Sequence, residues 1–477
     1  MTTPDFFRAR LDGMIDLNHP LAILRNRLPW LGIETVLSVY FGQKDRAGKL
    51  VPSDDLLGCS LQVAGGGASK SGRPRLSIRL MAALILLKHT YNESDESVVE
   101  RWAQDVYFQY FSGLEYFEAK KPCDPTQIGR FRTAIGEAGL AEILARTVNT
   151  AVALQAITPK ELETIIVDST VQEKAIAHPT DSRLLEMARI KLALIAKRAG
   201  IVLKQSFQKE GKTLRFRAGG YAHAKQFKQL KKVIRRQRTI VGILIREIQR
   251  KMASVSEQMK LTLTMWLERA QRLVDQQRTD KNKLYALHAL EVECIGKGKA
   301  RKPYEFGVKV SLATTHKKGL IVGATSCPNN PYDGHTLADQ IWQTNVILMD
   351  QNTTVKAVYV DLGYRGVDKS LEEVSVIHRG KTKALTPQQR RGLKRRQAIE
   401  PIIGHVKQDH GMQRCWLKGQ MGDALHAISC ALGFNIRWLM RAIVRLGCRP
   451  FFALIFLLRM IWKNTKNQSE NRLELAY

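Results

Sequence analysis

The sequence predicts an α/β protein: a mixed sheet with helices on its faces, an all-helical segment before it, and a large basic helical insertion after the first strand. Three observations carry that expectation. Short β-rich runs recur at 164–170, 305–313, 320–325, 355–361 and 374–377, interleaved with helical text in the order β, ββ, α, β, β, α. Over 100 residues without strand pattern separate the first run from the second. Upstream of the first run, residues 76–155 carry helical patterns only.

Taken in order, residues 4–58 are loosely helical, and the Gly/Ser-rich stretch 64–75 reads as a linker or mobile loop. Residues 76–87 are strongly apolar and helical. The 92–97 cluster offers caps for a second helix, 97–110, and Asp124-Pro125 opens a third over 126–135. The run 164–170 ends its apolar part on Asp168 and reads as a buried strand. In 305–313, Phe306, Val308, Val310 and Leu312 alternate with polar or small residues, the period of a strand. His316 to Gly319 turns the chain into its hairpin partner, 320–325. A helix over 335–349, strands at 355–361 and 374–377, and a helix capped by Thr386-Pro387 and leading to Glu400 follow. The apolar run 451–458 reads as a buried helix or dimer contact, and the polar tail 464–477 as disordered.

The chain has 477 residues, a net charge of +31 and 44% hydrophobic residues, with a pI near 10.0. That is enough apolar material for a core of two to four units, and the charge points to a polyanion, nucleic acid first and a membrane surface second. The segment 183–283 holds 26 Lys and Arg against 7 Asp and Glu, most of the surplus. Within it, Phe227, Leu230, Val233, Ile234, Ile240, Val241 and Ile245 fall near helical spacing opposite Lys231, Lys232, Arg235 and Arg236. This basic face reads as a DNA clamp or a contact to a partner subunit, and the plain alternative is a solvated face. Phe207, Phe216, Tyr221 and Phe227 interleave only modestly, favouring backbone contact over base stacking. The longest apolar runs, 80–87 and 451–458, fall short of the roughly 18 residues of a spanning helix, so no membrane is expected. The first residues lack a secretory pattern, and seven scattered cysteines without a C-x-x-C pair read as reduced thiols. The expected location is therefore the cytoplasm.

Three carboxylates stand at element ends: Asp168 after the first strand, Asp361 after 357–360, and Glu400 at the head of the next helix. Parallel neighbours bring such ends together, and converging carboxylates need a cation, for which two Mg²⁺ about 3.5–4 Å apart would serve phosphodiester chemistry. Each Asp alone could simply cap a turn. Arg396 and Lys407, four residues before and seven after Glu400, would share its helix face and suit phosphate, although an intrahelical Arg396–Glu400 pair is the simpler alternative. Pro401 disfavours α conformation at Glu400, so the helix either begins there or kinks.

The spacing Arg396-x3-Glu400-x6-Lys407 resembles the R-x3-E-x6-K part of the Y-R-E-K signature of bacterial insertion-sequence DDE transposases. Asp361-Leu-Gly363-Tyr364-Arg-Gly366 resembles their D-x-G-Y-R-G block, and Val167-Asp168-Ser-Thr170 their first-aspartate block. Cys123 to Arg132 is similar to their helical N-terminal region, and the similarity runs from about residue 5 to 447. The signature Tyr falls on Leu393. The resemblance implies an RNase H-like core in which Asp168, Asp361 and Glu400 are catalytic and bind two Mg²⁺, with Mn²⁺ able to substitute. It further implies that Arg396, Lys407 and Tyr364 lie at the DNA, and that a nucleoid-associated dimer on DNA cuts at terminal inverted repeats and joins the freed 3′-OH to target DNA. The alternatives are an inactive or repurposed DNA-binding protein and an RNase H-fold nuclease that cuts without joining.

The expected organisation is 1–75 helical segment and linker, 76–157 helical domain with possible end-DNA binding, 158–184 with 300–447 catalytic domain, 185–299 basic insertion, and 448–477 helix and tail. The 193 residues from Asp168 to Asp361 leave room for the insertion there, whereas the 39 from Asp361 to Glu400 do not.

Overall fold

The structure, a computed structural model, describes residues 10–41, 76–277, 279–296, 303–366, 371 and 373–447. The expectations for the 64–75 linker, the 451–458 run and the 464–477 tail lie outside these residues.

Among the described residues a single mixed sheet contains β1 (Thr164–Glu173), β2 (Glu293–Gly296), β3 (Tyr304–Thr315), β4 (Ile321–Cys327), β5 (Ala357–Tyr359) and β6 (Ser375–Ile377). Its order is β2-β3-β1-β5-β6, with β4 also paired to β3. β3 runs antiparallel to β1, β2 and β4, whereas β1, β5 and β6 are mutually parallel. The expected hairpin is β3–β4, and its turn closes at Gly319 with φ 69°, a left-handed conformation that suits glycine. β1 continues three residues past 170 because its polar Gln172 is buried and donates to the Asp423 carbonyl. β2 has four residues and no alternation, so nothing in its text marks it as a strand.

The two faces of the sheet are covered differently. Ile165, Val167, Val358 and Val360 join the main core with helices Ile78–Tyr91, Thr126–Ala153, Leu337–Leu348 and Gly419–Gly447. On the other face, Ile166, Tyr359 and Ile377 pack under Leu385, Leu393 and Ile399 from the helices Pro387–Arg395 and Ile399–Asp409 and the turn before them. The expected 97–110 helix is two, Asp95–Trp102 and Val106–Phe111, since the Asp105 carboxylate accepts from the amides of Tyr107 and Phe108 and starts a new helix. The expected 126–135 helix runs on to Ala153 past a break at Gly136. Gly419–Gly447 is long and apolar enough to cross a membrane, but most of it is buried in the main core. Gly433 lies against the His89 backbone, where any Cβ would collide with the carbonyl, so this glycine sets how closely the two helices cross.

Between β1 and β2 the chain forms four helices, Asp181–Arg198, Gln208–His223, Phe227–Lys251 and Glu257–Asp275. They enclose a separate core that includes Leu192, Ile240, Leu244, Leu263 and Leu284. On Phe227–Lys251, Leu230, Val233, Ile234, Ile240, Val241 and Ile245 point inward as expected, whereas Phe227, at the first position of the helix, is 59% exposed and outside that core; Lys231, Lys232, Arg235 and Arg236 are exposed. Arg236 is engaged, its guanidinium donating to both oxygens of Glu210 at 2.6 and 3.0 Å.

Candidate active site

Asp168 lies within β1 and Asp361 directly beyond β5. Ile165 is level with Val358 and Ile166 with Tyr359, so continuing the register by two residues sets Asp168 level with Asp361. By alternation both fall on the face of Ile166 and Tyr359, the face covered by the helices that flank Glu400. Backbone amides orient both: Ser169 donates to Asp168 Oδ1 at 2.8 Å, and Gly363 to Asp361 Oδ1 at 2.8 Å.

Glu400 is in the first turn of Ile399–Asp409, and Pro401 follows it where the missing N–H costs the helix nothing. The helix thus starts just before the proline, after a 3-10 turn at Arg396–Ala398 that separates it from Pro387–Arg395. Arg396 in that turn is almost covered. Its Nη1 is 3.4 Å from Asp168 Oδ2 and its Nη2 3.6 Å from Glu400 Oε1. The Glu400 side chain is 62% exposed. Arg395, beside it, donates instead to the carbonyls of His316 and Lys317 in the hairpin turn.

Lys407 follows Glu400 by seven residues, about two turns of the same helix. Its Nζ is 3.8 Å from Glu305 Oε2, and Glu305 precedes Leu312, the partner of Asp168, by seven residues of β3, roughly 23 Å of strand. There it lines a cavity of about 970 Å³ with Lys88, Arg132, Lys174, Arg414 and Trp416. The signature-Tyr position, Leu393, is buried against the sheet and serves packing. Lys231, Lys232, Arg235 and Arg236 belong to the four-helix insertion with its own core.

Tyr364 ends a 3-10 turn begun by Asp361, is fully buried, and its hydroxyl has no hydrogen-bond partner among the described residues. Burial pushes its phenol well above the usual value, and Asp333, Asp168 and Asp361 add to the shift. Asp333 is the residue that sequence reasoning missed. Its Oδ1 accepts from Ser169 Oγ at 2.9 Å and lies 3.0 Å from Lys309 Nζ. A Cβ on Gly363 would sit 2.9 Å from Asp361 Oδ1 and 3.3 Å from Asp333 Oδ2, so the two carboxylates flank one spot, and the glycine leaves it open. The only signal was Asp333-Gly334 just before a helix, which reads as an ordinary cap.

Among the described residues, no three carboxylate, imidazole or thiol groups already stand close enough to hold a metal ion. The donor chemistry nevertheless fits a hard divalent cation: one carboxylate within β1, one beyond the end of its parallel neighbour β5, a third on the covering helix, and a guanidinium now supplying positive charge between two of them.

Residues 45–134 match the family model described as a transposase domain (DUF772), and residues 364–440 match that of the transposase DDE domain, which spans Tyr364, Arg396, Glu400 and Lys407. An uncharacterized protein of the nfe locus of Rhizobium meliloti, ORF8, is 38% identical over 223 residues, 47% of this chain and 95% of that protein. No solved structure matches. The two transposase matches, one on the N-terminal helices and one running from Tyr364 into the long C-terminal helix, place this chain among the DDE transposases of insertion sequences, enzymes that cut and move DNA.

Proposed function

We propose that Asp168, Asp361 and Glu400 form a divalent-cation site at which the chain cuts the ends of its element and joins the freed 3′-OH to target DNA. The observation that carries this reading is the level placement of Asp168 and Asp361 at adjacent parallel strands, with Arg396 linking Asp168 to Glu400. Asp168, Asp361 and Glu400 would hold two Mg²⁺, or Mn²⁺ in their place, which would supply activation of the attacking oxygen and stabilisation of the leaving one. The chain's own groups do the rest. The amides of Ser169 and Gly363 aim the two aspartates, Lys309 offsets the charge of Asp333, and buried Tyr364 closes the floor beneath them. Arg396 is placed to meet a phosphate arriving at the carboxylates. Lys407 serves DNA farther along the sheet.

The strand order β4-β3-β1-β5-β6, antiparallel on one side of β1 and parallel on the other, supports an RNase H-like core in 158–184 and 300–447. The insertion, expected over 185–299 and built of the four helices from Asp181 to Asp275, with Glu293–Gly296 already back in the sheet, presents Lys231, Lys232, Arg235 and Arg236 to DNA backbone. The helices within 76–157 hold the element's terminal repeats, and a dimer brings two ends together.

Purified protein incubated with labelled DNA carrying its element's ends, a target plasmid, and either Mg²⁺ or chelator tests this. Mg²⁺-dependent nicks at the ends with joined products are the expected result. End binding without cleavage would instead mean an inactive or repurposed copy, and cleavage without joining a nuclease.

A further inference from the structure

We propose that Arg396 gates the cation site: without DNA its guanidinium occupies the place of a cation between Asp168 and Glu400, and a DNA phosphate draws it away. The inference rests on the reading of Asp168, Asp361 and Glu400 as cation ligands.

The geometry is that of a weakly held placeholder. A guanidinium paired for strength grips one carboxylate with two parallel bonds near 2.7–2.9 Å. Arg396 instead spreads one nitrogen to each of two carboxylates on different elements, at 3.4 and 3.6 Å. Elsewhere in this chain Arg189 makes the strong form, with both contacts to Glu186 at 2.7 and 2.9 Å. The neighbour Arg395 anchors the turn through the His316 and Lys317 carbonyls, so the backbone is held without the Arg396 side chain, whose ion-pair partners are Asp168 and Glu400. Glu400, more than half exposed, follows wherever positive charge is offered.

A guanidinium and a divalent cation cannot both neutralise the same pair of oxygens, so they compete. A phosphate entering the site offers Arg396 a planar, doubly accepting partner and leaves Asp168 and Glu400 to the cation. DNA and cation then strengthen each other's binding by the same factor, as linkage requires. In the cell this keeps a nuclease centre unloaded until its substrate is present.

The test is Mn²⁺ binding to the full chain, read from the electron paramagnetic resonance of free Mn²⁺, with and without a short duplex carrying an end of its element. Wild type should bind Mn²⁺ weakly alone and more tightly with the duplex. Arg396→Gln should bind Mn²⁺ about tenfold more tightly without DNA, the equivalent of two partly covered ion pairs, and gain less from the duplex. Equal or weaker binding by Arg396→Gln without DNA overturns the gate, as does a wild-type affinity indifferent to DNA, which needs no variant. The carboxamide variant Asp168→Asn/Asp361→Asn/Glu400→Gln separates the two ideas. If it binds Mn²⁺ as wild type does, the ligand assignment itself fails, whereas if it loses Mn²⁺ and Arg396→Gln does not tighten, only the gate falls.

Discussion

Asp361 is held by one oxygen on the Gly363 amide, so Asp361→Asn retains the shape and the hydrogen bond while removing the charge. Cleavage of end DNA should fall to background in a nicking assay, and end binding in a gel shift should be equal or tighter, since a negative charge near phosphate is gone. Tyr364 carries the opposite balance. A buried hydroxyl without a partner costs stability, so Tyr364→Phe should raise unfolding stability by about 1 kcal/mol in a melting experiment while lowering the cleavage rate, because a polar group kept at such cost faces the carboxylates. Asp168 and Asp361 were conspicuous in the sequence because each follows an apolar strand run. Asp333 was not, since its role comes from Ser169 and Lys309, 164 and 24 residues away in the chain, and separations of that kind leave no local pattern. The Arg396–Glu400 contact followed from four-residue spacing, although a 3-10 turn rather than one continuous helix delivers it.

At the scale of elements, the crossing of Ile78–Tyr91 and Gly419–Gly447 is a close joint in the main core. Gly433→Ala should destabilise the protein by roughly 1–3 kcal/mol in thermal melts, because the His89 backbone cannot retreat as a flexible side chain would. The same seam buries histidines: burial lowers His426 to about 3 and His410 to about 4. Their folded values lie below the unfolded one near 6.5, so the unfolded chain takes up protons first. Neutral histidines therefore cost nothing above about pH 6.5, and stability drains as pH falls from there through about 4 for His410 and about 3 for His426, on the order of 3–5 kcal/mol for each. Melting temperature measured across pH 4 to 8 should decline on the acid side, and His410→Gln/His426→Gln should shallow that decline. The sequence showed the apolar character of 76–87 but not its partner, because Gly419–Gly447 mixes Asp423, His426 and Asn435 into a buried stripe. Two of those polar groups find partners across the fold, Asn435 at the backbone of Ile321 and Asp423 Oδ1 at Lys174, and only the fold reveals that.

Across the whole molecule, charge and apolar packing are partitioned. The four-helix insertion has its own core and holds most of the net charge, whereas the N-terminal helices share one core with the sheet. Neutralising Lys231, Lys232, Arg235 and Arg236 together should therefore leave folding of the sheet unchanged and flatten the dependence of DNA affinity on salt, measured as the slope of log K against log salt. Arg236 should contribute least, being already paired with Glu210. The existence of this block was legible from its charge and helical spacing, and its place from the gap between Asp168 and Asp361. That gap also sets a timetable. β1 is central in the sheet, yet its first partner, β3, begins about 130 residues later and its second, β5, later still. At about 5–20 residues per second a ribosome needs roughly 7–26 s to make that interval, during which the insertion can fold on its own while β1 waits with both edges open. Glu400 is made only when translation is nearly over, so a nascent or prematurely terminated chain would carry its basic helices long before it carried all three carboxylates.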